Sequence, residues 1–172
     1  MSYSIKSFAP IATQLRNAGH KLVLATGFFD LLHEEHINFL NSAKNAGDVL
    51  IVAVESDERA RILKGEGRPI ETQLIRCDRL SNLTLTDSRI HGFTDSRKLV
   101  DYIISLDESF NNPAAFESLI EAVRPSVLAV SSHTAHQDKK AMLVEKYGGT
   151  LKIVHTHNPE ISTSKIIIKN QV

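Results

Sequence analysis

Apolar and polar positions fall into short blocks along this chain. Lys21 to Ala25, Val49 to Val54, Val127 to Val130 and Leu151 to Val154 are apolar runs of strand length, and Tyr102 to Leu106 adds a fifth. Between them the spacing turns helical, as in Ile37, Leu40 and Ala43 after the first run and Phe116, Leu119, Ile120 and Val123 before the third. A further helix is expected over about Ser7 to Asn17, stopped by Gly19, and another should follow Ile161. Strands alternating with helices imply right-handed crossovers. The pattern therefore predicts an α/β fold, a Rossmann-like, doubly wound parallel five-stranded sheet with helices on both faces. Residues 84–98 are rich in Ser, Thr, Asp and Arg and follow neither period, so they read as a loop or lid excursion, with a plain solvated loop as the alternative.

Composition narrows this picture. With 172 residues and 42% hydrophobic content, the chain can bury one core, and a single domain over 1–172 is expected. Lys plus Arg and Asp plus Glu each total 20, so there is no net field to draw nucleic acid or an anionic membrane, and only 6% of residues are aromatic. Cys77 is the sole cysteine, which suits a reducing, cytoplasmic setting. Neither a leader pattern in Met1 to Pro10 nor an apolar run near the roughly 20 residues of a membrane span is present.

In open parallel sheets ligands settle beyond the carboxyl ends of the strands, so the segments after the apolar runs matter most. The first reads Thr26-Gly27-Phe28-Phe29-Asp30 and continues to His33, Glu34, Glu35 and His36. Two histidines three apart at a helix start share a face where the dipole favours an anion, and together they can contact one phosphoryl group. Surface residues or half of a metal site fit the same spacing. After the second run come Arg59, Arg61 and then Lys64-Gly65-Glu66-Gly67-Arg68-Pro69. Cations flanking mobile glycines suit phosphoryl transfer, with Lys64 and Arg68 the candidates for binding phosphate; a surface helix ending in a Gly-Pro turn is the alternative. Ser162, Thr163 and Ser164, followed by Lys165, open the expected last helix, where they either cradle phosphates or simply cap. There is no Walker loop and no GxGxxG. His133, His136, His155 and His157 follow the later runs, and phosphate or base contacts or plain surface positions suit them better than a metal, since no cysteine or well-placed carboxylate stands among them.

Taken together, Gly27-Phe28-Phe29-Asp30 with His33 and His36 resembles the G-x-F-D and H-x-G-H signatures, and Ile161 to Ile167 the I-S-T-T-x-x-I signature, of the cytidylyltransferase-like nucleotidyltransferase family. Within it, Asp48 to Pro69 is similar to the adenylyltransferase domains of ADP-heptose synthases, with the glycerol-3-phosphate cytidylyltransferases next nearest. The resemblance implies transfer of a nucleoside monophosphate from an NTP to a phosphorylated small molecule, with Mg²⁺ accompanying the NTP, by direct in-line attack. It implies His33, His36 and Lys64 as catalytic residues and Gly27, Phe28, Phe29, His33, His36, Ser162, Thr163 and Ser164 around the nucleotide. Asp30, Lys64, Arg68, His133 and His157 would bind acceptor or phosphate, and a homodimer is expected. Three departures stand out. Glu35 replaces the glycine of H-x-G-H; His157 replaces the arginine of the cytidylyltransferases, which favours ATP over CTP; and Val130 to His136 replaces a Lys-Gly-Gly-Asp-Tyr type of sequence. Glu35 motivates an alternative, a nucleotide-binding sensor or partner-binding module without turnover.

Overall fold

The computed structural model describes residues 2–86 and 94–156. Its elements run α1 (Ile5–Asn17), β1 (Leu22–Gly27), α2 (Glu34–Lys44), β2 (Val49–Val54), α3 (Asp57–Lys64), α4 (Gln73–Ser81), β3 (Thr84–Thr86), β4 (Thr94–Lys98), β5 (Tyr102–Ser105), α5 (Pro113–Val123), β6 (Val127–Ser131), α6 (Gln137–Lys146) and β7 (Thr150–His155). Five strands form a parallel sheet in the order β5-β2-β1-β6-β7. The expected five-stranded α/β architecture is therefore present, and each expected strand lies in it.

Burial explains the order. All six residues of β2 are buried, as befits a strand covered on both faces, whereas β7 exposes half of its residues at the sheet's edge. Successive side chains of β1 point to opposite faces: Leu22 and Leu24 join Phe8 and Ala12 of α1 and Leu119, Ile120 and Val123 of α5, while Val23 and Ala25 join Leu40 and Ala43 of α2 and Cys77 and Leu80 of α4. Helix boundaries follow local chemistry. Asn112 accepts from Ala115 N at 3.0 Å before Pro113, and α1 ends ahead of Gly19, which takes a φ of 85°.

Two features differ from expectation. Helix α4 carries no periodic signal strong enough to mark it beforehand, yet Thr72 caps it and Cys77 and Leu80 bury its inner face. Residues 84–98, expected as a loop, contain an antiparallel ribbon of β3 and β4, with Leu83 and Leu85 against the α2/α4 core and Leu99 N donating to Leu83 O at 2.9 Å. Leu85, Arg97 and Lys98 line a hollow with Lys44, Val49 and Tyr102 at the amino ends of β2 and β5. That is the end of the sheet remote from the strands' carboxyl ends. Residues 87–93, and the helix expected after Ile161, lie outside the described residues. Among the described residues, no helix is long and apolar enough to cross a membrane.

Candidate active site

The carboxyl ends of β1, β2, β6 and β7 surround a cleft of about 610 Å³. In the sheet β1 is flanked by β2 on one side and β6 on the other, so successive crossovers leave in opposite directions and open a crevice between them. Thr26 to Asp30 form its base, and His33, Glu35 and His36 reach it from α2.

His33 occupies the cap position before α2, with φ −134° and ψ 173°, and His36 stands in the first turn. Their rings stack 3.8 Å apart at an interplanar angle of 20°, so both imidazoles address one place. Phe29 backs His36 at 5.4 Å between ring centroids. To put its ring there, Phe29 takes a φ of 54°, and Leu31 a φ of 49°, both in the left-handed region that side chains disfavour. A Cβ on Gly27 would lie 3.0 Å from the Phe29 ring and would press on it, so glycine lets the ring sit this close to the strand end. Burial and, after it, the neighbouring His33 together push the His36 pKa down to about 3, with Glu35 opposing both. His36 is consequently uncharged at neutral pH. Its Nδ1 is buried without a hydrogen-bond partner.

Glu35 does not simply intrude where the family motif has glycine. Its side chain is buried and its Oε2 lies 2.9 Å from His155 Nε2, a bond that ties the first turn of α2 to the end of β7. Both residues line the cleft.

On the β2 side, Asp30 is 5% exposed and accepts from the backbone N–H groups of Ile70 and Glu71, each at 3.1 Å, while Arg68 Nη1 lies 3.3 Å from its Oδ2. Asp30 thus anchors the segment that bears Arg68, and Arg68 reaches the cleft already paired. Lys64, at the end of α3, faces the cleft with its Nζ 5.9 Å from the Phe28 ring centroid. Gly65 and Gly67 follow with φ of 93° and 78°, a path open to glycine.

A residue that motif reading misses organises this wall. Arg76 of α4 is fully buried; its guanidinium donates to the carbonyls of Glu71 at 3.0 Å, Glu55 at 2.9 Å and Phe28, and pairs with Asp57 at 2.7 Å. Gln73 adds bonds to the carbonyls of Val54 at 2.9 Å and Leu106 at 2.7 Å. The available signal was an arginine beside Cys77 and four residues before Leu80, on the apolar face of a short helix.

Across the cleft, Ser131 Oγ and His133 Nδ1 lie 2.5 Å apart, and Thr134 and Lys140 complete the lining. Of the later histidines, His133 and His155 reach the cleft, whereas His136 does not line it and instead stands at the cap of α6 with φ 56°. Among the described residues, no three His, Cys, Asp or Glu side chains are grouped to hold a metal ion. His157, Ser162, Thr163 and Ser164 lie outside the described residues.

Known proteins share this sequence and fold. The bifunctional protein HldE of Desulfatibacillum aliphaticivorans is 35% identical over 154 residues, 89% of this chain and 27% of that protein. HldE of Geobacter metallireducens is 33% identical over 96% of this chain and 30% of its own length. The chain therefore spans less than a third of these curated relatives. Among solved structures, a lipopolysaccharide core biosynthesis protein from Thermoplasma volcanium superposes with a TM-score of 0.60 at 27% identity, covering 81% of this chain and 98% of that one. A pantoate-beta-alanine ligase from Francisella tularensis shares the fold alone, with a TM-score of 0.50 at 14% identity, covering 99% of this chain and 76% of that one. The Cytidylyltransferase-like family matches residues 24–169, and the chain belongs to that family of nucleotidyltransferase enzymes.

Proposed function

We propose that this chain transfers a nucleoside monophosphate from an NTP, ATP in preference to CTP, to a sugar phosphate and releases pyrophosphate. The observation that carries the reading is the stacked His33–His36 pair at the start of α2, opening onto a cleft that Lys64 and Arg68 also line. Relatedness to the HldE proteins supports a sugar phosphate as acceptor, and His157 in place of the cytidylyltransferase arginine is the reason to prefer ATP. In the reaction an acceptor phosphate oxygen attacks the α-phosphorus; that P–O bond forms as the bond to the bridging oxygen breaks, and the electron pair leaves with pyrophosphate. An ionised phosphate nucleophile carries no proton to remove, so the step calls for positioning and charge stabilisation rather than a general base.

The protonation state of His36 fits that task. As a neutral imidazole it donates one N–H to a phosphoryl oxygen, and the approaching anion raises its pKa and strengthens the contact. Lys64 supplies charge from the β2 side. Mg²⁺ enters with the triphosphate as part of the substrate, and Ser162, Thr163 and Ser164 are the residues expected to hold the β- and γ-phosphates. Calorimetric titration with MgATP and MgCTP tests the reading without knowledge of the acceptor. Binding of MgATP at least about tenfold tighter than MgCTP is expected; binding of neither contradicts the function, and a preference for CTP reverses the choice of nucleotide.

A further inference from the structure

Among the described residues three side chains of fixed positive type line the cleft, and they are not alike. Arg68 is neutralised by Asp30 at 3.3 Å. Lys64 and Lys140 have no hydrogen-bond or ion-pair partner among the described residues; each instead rests near an aromatic ring, Lys64 at 5.9 Å from Phe28 and Lys140 at 5.6 Å from Phe116. They come from opposite directions. Lys64 ends the helix after β2, Lys140 belongs to the helix after β6, and these strands flank β1 on its two sides. Glu55, the acid nearest to Lys140 in electrostatic effect, is already paired with Arg59.

A partly buried ammonium without a counterion is unfavourable for the fold, and burial here lowers the Lys140 pKa, with Glu55 opposing and Arg59 adding to the effect. An anionic ligand removes that penalty. In-line transfer places two anionic groups on opposite sides of the α-phosphorus, the departing pyrophosphate and the attacking acceptor phosphate, and two unneutralised lysines on opposite walls match that demand. We infer that Lys140 binds the anionic group of the acceptor, making the β6 wall with Lys140 the acceptor side and leaving Lys64 to the triphosphate. The inference rests on the nucleotidyltransferase reading. It also assigns a cation to the wall where Val130 to His136 departs from the sequence of the heptose enzymes.

The test fills the nucleotide site first. Protein saturated with the magnesium complex of α,β-methylene-ATP, whose P–C–P link cannot release pyrophosphate, is titrated with inorganic phosphate. Lys140→Met, which keeps the aliphatic stem over Phe116, should weaken phosphate binding at least about tenfold while the affinity for the analogue stays within about twofold, and Lys140→Arg should restore most of the loss. Unchanged phosphate binding in Lys140→Met, a loss that falls on the analogue instead, or no phosphate binding by the wild type overturns the inference. Failure of the analogue to bind the wild type is a separate result, which overturns the functional reading and this inference with it.

Discussion

The two walls of the cleft are built differently. On the β2 wall, Arg76, Gln73 and Asp30 tie the loops after β1 and β2 to residues 57, 70, 71 and 106 by hydrogen bonds, so the shape is set by a network spanning distant parts of the chain. On the β6 and β7 wall, side chains meet in pairs at the cleft: Ser131 with His133, and Glu35 with His155. The difference separates two kinds of residue. Where a network sets the geometry, substitution should first cost stability; where one side chain meets the cleft, substitution should first alter recognition.

The sharpest attempt to break this comparison is Arg76→Met. It removes the guanidinium from the carbonyls of Phe28, Glu55 and Glu71 and leaves Asp57 with its bond from Gln73 N, so a loss of roughly 3–5 kcal/mol is expected from urea midpoints, together with loss of transfer activity. A change below about 1 kcal/mol would remove Arg76 from its organising role.

A second effect comes from His36. Its folded pKa, about 3, lies below the unfolded value near 6.5, so between those pH values the unfolded chain holds more protons and stability falls as pH falls. The contribution is fully present above pH 6.5 and is lost through the window down to about 3. From pH 6.5 to 5 it should amount to on the order of 1–2 kcal/mol, and His36→Gln should flatten the dependence by that amount. Parallel pH profiles for the two proteins would contradict the buried, neutral His36.

The smallest effect concerns the β7 wall. A double-mutant cycle of Glu35→Ala and His155→Ala should give a coupling energy of about 0.5–2 kcal/mol, with most of the fold's stability retained. A coupling indistinguishable from zero would mean that the bond between α2 and β7 does not contribute.

The sheet was readable from sequence because its central strands are short, continuous apolar runs, and the periodicity of α2 and α5 agrees with their buried faces. The ribbon of β3 and β4 was not, because Thr84 to Lys98 lacks the apolar alternation of a half-buried strand and is held partly by Leu83 and Leu85 at its base. At the site, Gly27 to His36 could be placed from motif and spacing alone, since a strand end and a helix start fix where their side chains go. Asp30 lines the cleft, and its carboxylate also accepts from residues 40 and 41 positions onward, a pairing no local pattern announces. Arg76 and Lys140 escaped for the same reason: each gains its meaning from helices packed beside strands remote in sequence. Glu35 was recognised as a departure, but only the fold supplies His155, 120 positions away, as its partner.

If the stacked histidines form a nucleotidyl-transfer site, pyrophosphate release must depend on His36, which His36→Ala measures. With MgATP and a panel of sugar phosphates, the substitution should lower the wild-type rate by about a hundredfold or more while the circular dichroism spectrum stays unchanged. A folded His36→Ala protein that releases pyrophosphate as fast as the wild type would contradict the account.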